Sequence, residues 1–405
     1  MTEAPARRST VAVATVAALL GGGTVAVVTA PLDGATEPSQ SYSIEYRVSD
    51  QTSGWQPWVR DGQTAGVVGS GSTVEAIEIR LVTPTQTPTP TQIPTPTQTP
   101  TPTPTANPSI TRLAFTADIG LASTGQGVLA KIGTGNYDVT SILGDFAYEA
   151  TAGVEQRFCK QVNDRIPGKV AIVAGNHEEL PNPDGSMENY EACLPDEVGA
   201  VPYAKSKYGR DYYFDTGNVR VILISPDIPL TTGTKTYIYG TPEREWLKKV
   251  AIDGRAAGKW VVLGYHHPCF SIGLHACNDT KPSLSELAIG LGADVVFTGH
   301  DHNYQRTHQI RGTKASPVVI DKDNAYQRQT VTSKGTTFVT VGNGGHNPRT
   351  ITQTLPSWMK VVNGTNSPGG FAFGFAELTA TSTTLTVKHV SVSGVALQDS
   401  FILTR

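Results

Sequence analysis

Downstream of residue 108, five apolar runs each end in a residue type that binds metal ions, and this recurrence constrains the fold more than any other feature. RLAFTAD stops at Asp118, DVTSILGD at Asp145, KVAIVAGN at Asn176, KWVVLGYH at His266 and ADVVFTGH at His300. Short aliphatic and β-branched runs of this kind read as buried strands. In layered α/β proteins ligands collect beyond the carboxyl ends of strands, so runs that share sheets would bring all five residues to one rim. Between them, Ser123–Ile132 and Pro242–Ala256 carry helix patterns, the second opening on a Thr241-Pro242-Glu243 cap. An α/β domain is expected over residues 109–405.

Ahead of it, residues 83–108 alternate proline with threonine and glutamine and offer nothing from which to build a core. Such a segment favours polyproline II at ~3.1 Å per residue and would serve as a spacer of up to roughly 80 Å. Residues 42–82 alternate with period two at Ile44, Tyr46 and Val48 and again at Ala76, Ile77, Ile79 and Leu81, with glycine turns between, which predicts a small all-β module. Residues 1–36 have the layout of a cleaved signal peptide: Arg7 and Arg8, then the apolar run Val11–Ala30, then small residues at Ala30 and Ala35. The alternative is an uncleaved anchor, since about 20 apolar residues can just span a bilayer. Gly21, Gly22 and Gly23 weaken that alternative, and no stable membrane anchor is expected.

Charge narrows the partners. Charged residues make up 17% of the chain and the formal net charge is -3, so there is no polybasic stripe for nucleic acid or anionic lipid. The four cysteines, Cys159, Cys193, Cys269 and Cys277, show no C-x-x-C spacing, which argues against a cysteine zinc site. An even number in an exported chain predicts disulfides. Three pairings are open; one would join Cys269 to Cys277 in a short loop just after His266, leaving Cys159 with Cys193.

The strand ends lie in five motifs: ADIG at 117–120, GDFAY at 144–148, GNHE at 175–178, LGYHHP at 263–268 and GHDH at 299–302. In this order, each behind an apolar run, they resemble the calcineurin-like metallophosphoesterase superfamily over most of residues 110–345. The resemblance implies a four-layer αββα sandwich and two metal ions. Two cations ~3.5 to 4 Å apart call for hard oxygen donors, imidazoles and a bridging carboxylate, for which Asp145 is the natural choice. Gly120 stands where most members carry the histidine of D-x-H, and Tyr148 follows Asp145 by three residues. That exchange is similar to the one in purple acid phosphatases. By that resemblance Fe(III) would sit at Asp118, Asp145, Tyr148 and His302, and zinc, manganese or Fe(II) at Asp145, Asn176, His266 and His300. In the small module, Gly54-Trp55, Trp58-Val59, DGQTAG and EAIEIRL resemble a single clostridial hydrophobic (ChW) repeat. This implies a noncatalytic module for a cell-surface or extracellular partner; the alternative is that Trp55 and Trp58 fill its small core.

His177, inside GNHE, is the candidate phosphate donor or leaving-group acid. His275, between Cys269 and Cys277, resembles the substrate-contacting histidine of bacterial relatives; otherwise it is a loop histidine. Strand alternation predicts that His267 points away from His266. Glu178 is expected behind the ligands, and His308, His346 and His389 as ordinary core or surface residues. The resulting expectation is a secreted or cell-surface phosphatase that hydrolyses small phosphate monoesters, at acidic pH, through a hydroxide activated by two metals. Two alternatives accompany it: a phosphodiesterase or nucleotidase with the same centre, and a surface-binding protein whose large domain is inactive.

Overall fold

The runs ending in Asp118, Asp145 and Asn176 lie side by side as the parallel strands Thr111–Thr116, Val139–Leu143 and Lys169–Val173. Those ending in His266 and His300, Trp260–Gly264 and Val295–Thr298, are parallel neighbours in a second sheet. The structure, a computed structural model, describes residues 43–50, 54–60, 63, 65, 74–82, 110–181, 184–275, 277, 281–320, 329–330 and 335–405. The expected signal peptide (1–36) and Pro/Thr spacer (83–108) lie outside the described residues. The chain divides into two units, Met1–Thr101 and Pro102–Arg405.

In the small unit, Ser43–Asp50 pairs antiparallel with Gly54–Trp55, Val59–Arg60 and Val74–Val82. The register sets Tyr46 opposite Ile79 and Val48 opposite Ile77, so the alternating apolar residues share one face. Among the odd-numbered residues of the central strand, the Arg47 guanidinium lies 4.7 Å from the rings of both Trp55 and Trp58, and Arg80 lies 4.0 Å from Trp58. Glu45, only 4% exposed, pairs with Arg60 and, at 2.7 Å, with Arg80. These cation–π contacts account for Trp58 as packing, whereas Trp55 keeps 44% of its surface exposed.

The large unit is a sandwich of two sheets. One has seven described strands in the order Gln329–Thr330, Ser400–Thr404, Thr384–Gly394, Ala372–Ala380, Thr111–Thr116, Val139–Leu143, Lys169–Val173. The other has eight: Met359–Asn363, Tyr304–Thr307, Thr337–Val341, Val295–Thr298, Trp260–Gly264, Val219–Leu223, Tyr212–Thr216, Val201–Pro202. Ala372–Ala380 is an interior strand of the first sheet, antiparallel to Thr111–Thr116. Helices Ser123–Gly133, Val154–Asn163 and Met187–Cys193 cover the first sheet over a core that includes Ile132, Phe146, Phe158 and Ile172. Pro242–Ala256 and Lys281–Leu291 cover the second over Ile222, Leu247, Val261 and Leu287. Pro242–Ala256 starts where the cap predicts, with Thr241 Oγ1 accepting from Arg244 N at 3.4 Å and Pro242 in the first turn.

Between the sheets the strands are apolar on their inner faces as well, and this is why they read as continuous runs rather than as alternation. Phe115 and Phe297 stack across the seam with ring centroids 4.1 Å apart. Disulfides join Cys159 to Cys193, tying two covering helices, and Cys269 to Cys277, closing the loop that carries His275. Phe297 is fully buried, so Phe297→Ala should lower stability by about 3–5 kcal/mol in urea unfolding. A loss below about 1 kcal/mol would mean that the two sheets do not share one tightly packed core.

Candidate metal centre

At three of the five strand ends the chain makes a turn that side chains ordinarily avoid. Asp118, Asp145 and His300 have φ of 57, 53 and 68°, in the left-handed region, which directs their side chains back across the strand ends. Glycines make room. A Cβ on Gly144 would come within 2.5 Å of Gly175 N and 2.8 Å of His266 Nδ1, and one on Gly175 within 2.2 Å of Asp145 Oδ1.

Two donor groups result. Ligand atoms of Asp118, Asp145 and His302 all lie within 4.8 Å of one another, as do those of His266, His267 and His300. Tyr148 Oη joins the first group, 2.9 Å from Asp118 Oδ1, 3.3 Å from Asp145 Oδ2 and 3.1 Å from His302 Nε2. The groups meet at Asp145, whose Oδ2 is 3.1 Å from His266 Nε2. Asn176 opens the turn Asn176–Glu178, whose next residue, His177, donates its backbone N–H to Asp145 Oδ1 at 3.0 Å. His300 N donates to Asp118 Oδ2 at 2.8 Å. Each aspartate thus spends one oxygen on a backbone N–H and turns the other into the shared space. Nδ1 of His266 lies 2.7 Å from Leu143 O and Nδ1 of His302 lies 2.9 Å from Asn347 O. A carbonyl only accepts, so both rings carry a proton on Nδ1 and present Nε2 inward, the arrangement that orients metal-binding histidines.

Behind the donors, buried Glu178 accepts from Asp145 N and Phe146 N at 2.9 Å and from Gly175 N at 2.8 Å, tying two strand ends together. Burial and the Asp145 charge push its carboxyl up to about 8, while the bonds from Phe146 and Gly175 work in the opposite direction. Burial also opposes ionisation of Asp145 and His266, yet their mutual attraction prevails: Asp145 is held well below the usual carboxylate range and His266 is raised to about 9. Burial, then the charges of Asp118 and Asp145, raise the Tyr148 hydroxyl well above its ordinary value. Hard oxygens and inward-facing imidazoles gathered around buried negative charge form a donor set that fits two cations.

The sequence-predicted residues separate by position. Asp118, Asp145, Tyr148 and His302 come together; His266 and His300 form the other group, with Asn176 on the adjoining turn. His177 has its ring 4.3 Å from Tyr148, Nε2 3.9 Å from Asp145 Oδ2, and Nδ1 2.5 Å from Asp184 Oδ2. His275 lies 3.8 Å, ring to ring, from His300, with its Nε2 against Arg349 Nη1. His389 is buried, its Nε2 2.9 Å from Asn343 Nδ2.

Two expectations are corrected. His267 does not turn away; its ring is 4.4 Å from that of His300, because the strand stops at Gly264 and alternation no longer governs residues beyond it. His346 is not an ordinary surface or core residue: it stacks on Tyr148 at 3.5 Å with ring planes 4° apart. Gly120 permits this, since a Cβ there would come within 3.3 Å of His346 Nδ1. Sequence reasoning also missed Asp184 and Arg349. His346 and Arg349 follow the GNGG turn at the end of Thr337–Val341, which is parallel to Val295–Thr298, so a sixth strand end was the available signal. Asp184 had none.

In chelator-treated protein the Asp145–His266 pair should set a pH window. Asp145, depressed in the fold, contributes stability above the ordinary carboxylate value of about 4, and this is lost as pH falls further. His266, raised to about 9, contributes below its ordinary value, and this is lost as pH rises through about 9. Melting temperature should therefore fall from pH 6 to pH 9 in chelator and hold steadier when divalent or trivalent metal is supplied. A profile as flat in chelator as with metal would remove the pair from the account.

Comparison with known proteins gives the arrangement its relatives. Residues 111–304 match the calcineurin-like phosphoesterase family, and residues 51–83 match the clostridial hydrophobic W family. Purple acid phosphatase 15 of Arabidopsis thaliana is 24% identical over 197 residues, 47% of this chain and 31% of that protein. A nucleotide pyrophosphatase/phosphodiesterase of Hordeum vulgare is 26% identical over 291 residues, 67% of this chain and 73% of its own length. The structure of a purple acid phosphatase from yellow lupin (Lupinus luteus) seeds shares the fold with a TM-score of 0.53 at 19% identity, covering 74% of this chain and 54% of that one. The chain thus spans about a third of the Arabidopsis relative and about half of the lupin protein. The large unit thus resembles the calcineurin-like phosphoesterases and, among them, purple acid phosphatases, and the small unit resembles a single ChW repeat.

Proposed function

We propose that this chain is an exported phosphatase that hydrolyses phosphate monoesters at a dinuclear centre, with Asp118, Asp145, Tyr148 and His302 holding a ferric ion and Asp145, Asn176, His266 and His300 a divalent one. One observation carries this reading. A single carboxylate oxygen, Asp145 Oδ2, lies 3.3 Å from Tyr148 Oη and 3.1 Å from His266 Nε2, so one carboxylate serves both donor groups. Two cations there would supply Lewis acidity, polarising the phosphoryl group and lowering the pKa of the attacking water.

The chain's own residues do the rest. Asp184 engages His177 Nδ1 and so fixes the ring with Nε2 on the Asp145 side, where it can hold a proton for the departing oxygen. The Tyr148–His346 stack limits movement of the phenol. Glu178 keeps the ends of two strands in register, so the donors are in place before substrate arrives. Export rests on the residue 1–36 pattern and agrees with two disulfides; among the described residues no helix is long and apolar enough to cross a membrane. The ChW repeat would be a separate module for an extracellular partner, with exposed Trp55 as its contact.

The barley relative favours a second reading, a nucleotide pyrophosphatase or phosphodiesterase with the same centre. Rates on phenyl phosphate and bis(p-nitrophenyl) phosphate at acidic pH separate the two. Asp145→Ala should abolish hydrolysis, by at least about a thousandfold. Tyr148→Phe should remove the visible absorption of the iron-loaded protein. A wild type that is colourless with iron, or binds only divalent metals, would overturn the ferric assignment and leave a general metallophosphoesterase.

A further inference from the structure

At the rim of the centre stands a cation, Arg349, that no acid among the described residues answers. Arg349 N donates to His302 O at 2.9 Å and its carbonyl accepts from Thr365 N at 3.0 Å, so its backbone is fixed to the segment bearing the candidate ligands. Its guanidinium is half-buried and, among the described residues, has no carboxylate within ion-pair distance. Nη1 instead meets His275 Nε2. A guanidinium only donates, so that nitrogen accepts.

His275 is itself held firmly. Its backbone N–H donates to buried Asp301 Oδ1 at 3.1 Å, and its loop is closed by the Cys269–Cys277 disulfide. Its ring lies 3.8 Å from that of His300. Arg349 therefore stands about one imidazole outward from a candidate metal ligand, held by a neutral acceptor that an anion could displace. Forked, planar donors of this kind match phosphate oxygens, often two at a time.

We propose that Arg349, braced by His275, is an anion subsite for the second, non-transferred phosphate of a phosphoanhydride substrate, and that it sets the preference for anhydrides over simple esters. This rests on the phosphoesterase reading above. A monoester leaves its only charged group at the metals and a diester has no second phosphate, so neither gives Arg349 an anionic partner. An inorganic or nucleoside diphosphate does.

The test uses the full-length, metal-loaded chain and two non-hydrolysable probes, methylphosphonate and methylenediphosphonate, measured by calorimetry. Alongside them, kcat/KM is measured for pyrophosphate and phenyl phosphate. Arg349→Ala should weaken the diphosphonate roughly tenfold or more, as expected for loss of a charge-assisted contact, and move methylphosphonate much less. The pyrophosphate to phenyl phosphate ratio of kcat/KM should fall in parallel. Arg349→Lys keeps the charge without the fork and should be intermediate; it also serves if the alanine variant melts early. Equal loss on both probes, or none, overturns the proposal. If the wild type hydrolyses phenyl phosphate but binds the diphosphonate no better than methylphosphonate, the Arg349 subsite falls alone. If it hydrolyses no phosphoester at all, the phosphoesterase reading falls with it.

Discussion

The Asp145 carboxylate is the point on which the rest of the large unit is arranged. It is nearly completely buried, with one oxygen taken by a backbone N–H and the other facing a phenol and an imidazole. Burying such a charge without compensation would cost several kcal/mol. His266 supplies part of the compensation and bound cations would supply the remainder. The geometry around Asp145 is correspondingly rigid: Gly144 before it, Gly175 across from it, and Glu178 clamping three N–H groups beneath it. The Glu178 clamp would be hard to replace, since its loss leaves three buried donors without an acceptor.

The same residues form the seam between the two sheets. Leu143 O, at the end of a strand in one sheet, meets Nδ1 of His266 from the other, and Asp118 of the first sheet accepts from His300 N of the second. Relative displacement of the sheets would therefore disrupt the donor set and the Phe115–Phe297 contact together. Left-handed backbone at Asp118, Asp145 and His300 stores about 1–3 kcal/mol each, which is tolerable only because the surrounding core over-determines it. Strain is thus concentrated where the donors converge, and the extensive cross-sheet core offsets it.

Much of this was legible because strand ends are written locally. An apolar run closed by Asp, Asn or His states both where a buried strand stops and what it presents, and parallel pairing then brings the five ends to one edge. Which strands share a sheet is not local: Ala372–Ala380 carries no mark that it pairs with Thr111–Thr116 across more than 250 residues of chain. Alternation misled at His267 because it was extended past the end of a strand. His346, Asp184 and Arg349 lie on turns and loops, where side-chain direction follows from tertiary contacts rather than from a period. Asp184 contacts His177, seven residues earlier, at a separation that no spacing rule encodes.

Tyr148 bears on which ion the first donor group would hold. Burial, and then the two neighbouring carboxylates, make the neutral phenol the stable form in the absence of a cation and raise its pKa well above the ordinary value. To bind as phenolate it must lose that proton beside two negative charges, and the ion must repay this. A trivalent ion repays it better than a divalent one, by the same logic that makes a metal the largest local charge in its site. Gly120 and His346 complete the argument. With glycine at 120 that position offers no imidazole, and the space beside it holds His346 stacked on the phenol ring. In the proposed centre the oxygen-rich first group would suit an ion of high charge and the imidazole-rich second group a softer divalent ion. On the proposed reading, the asymmetry of the two metals follows from exchanging one histidine for a glycine and placing one tyrosine three residues after the bridge.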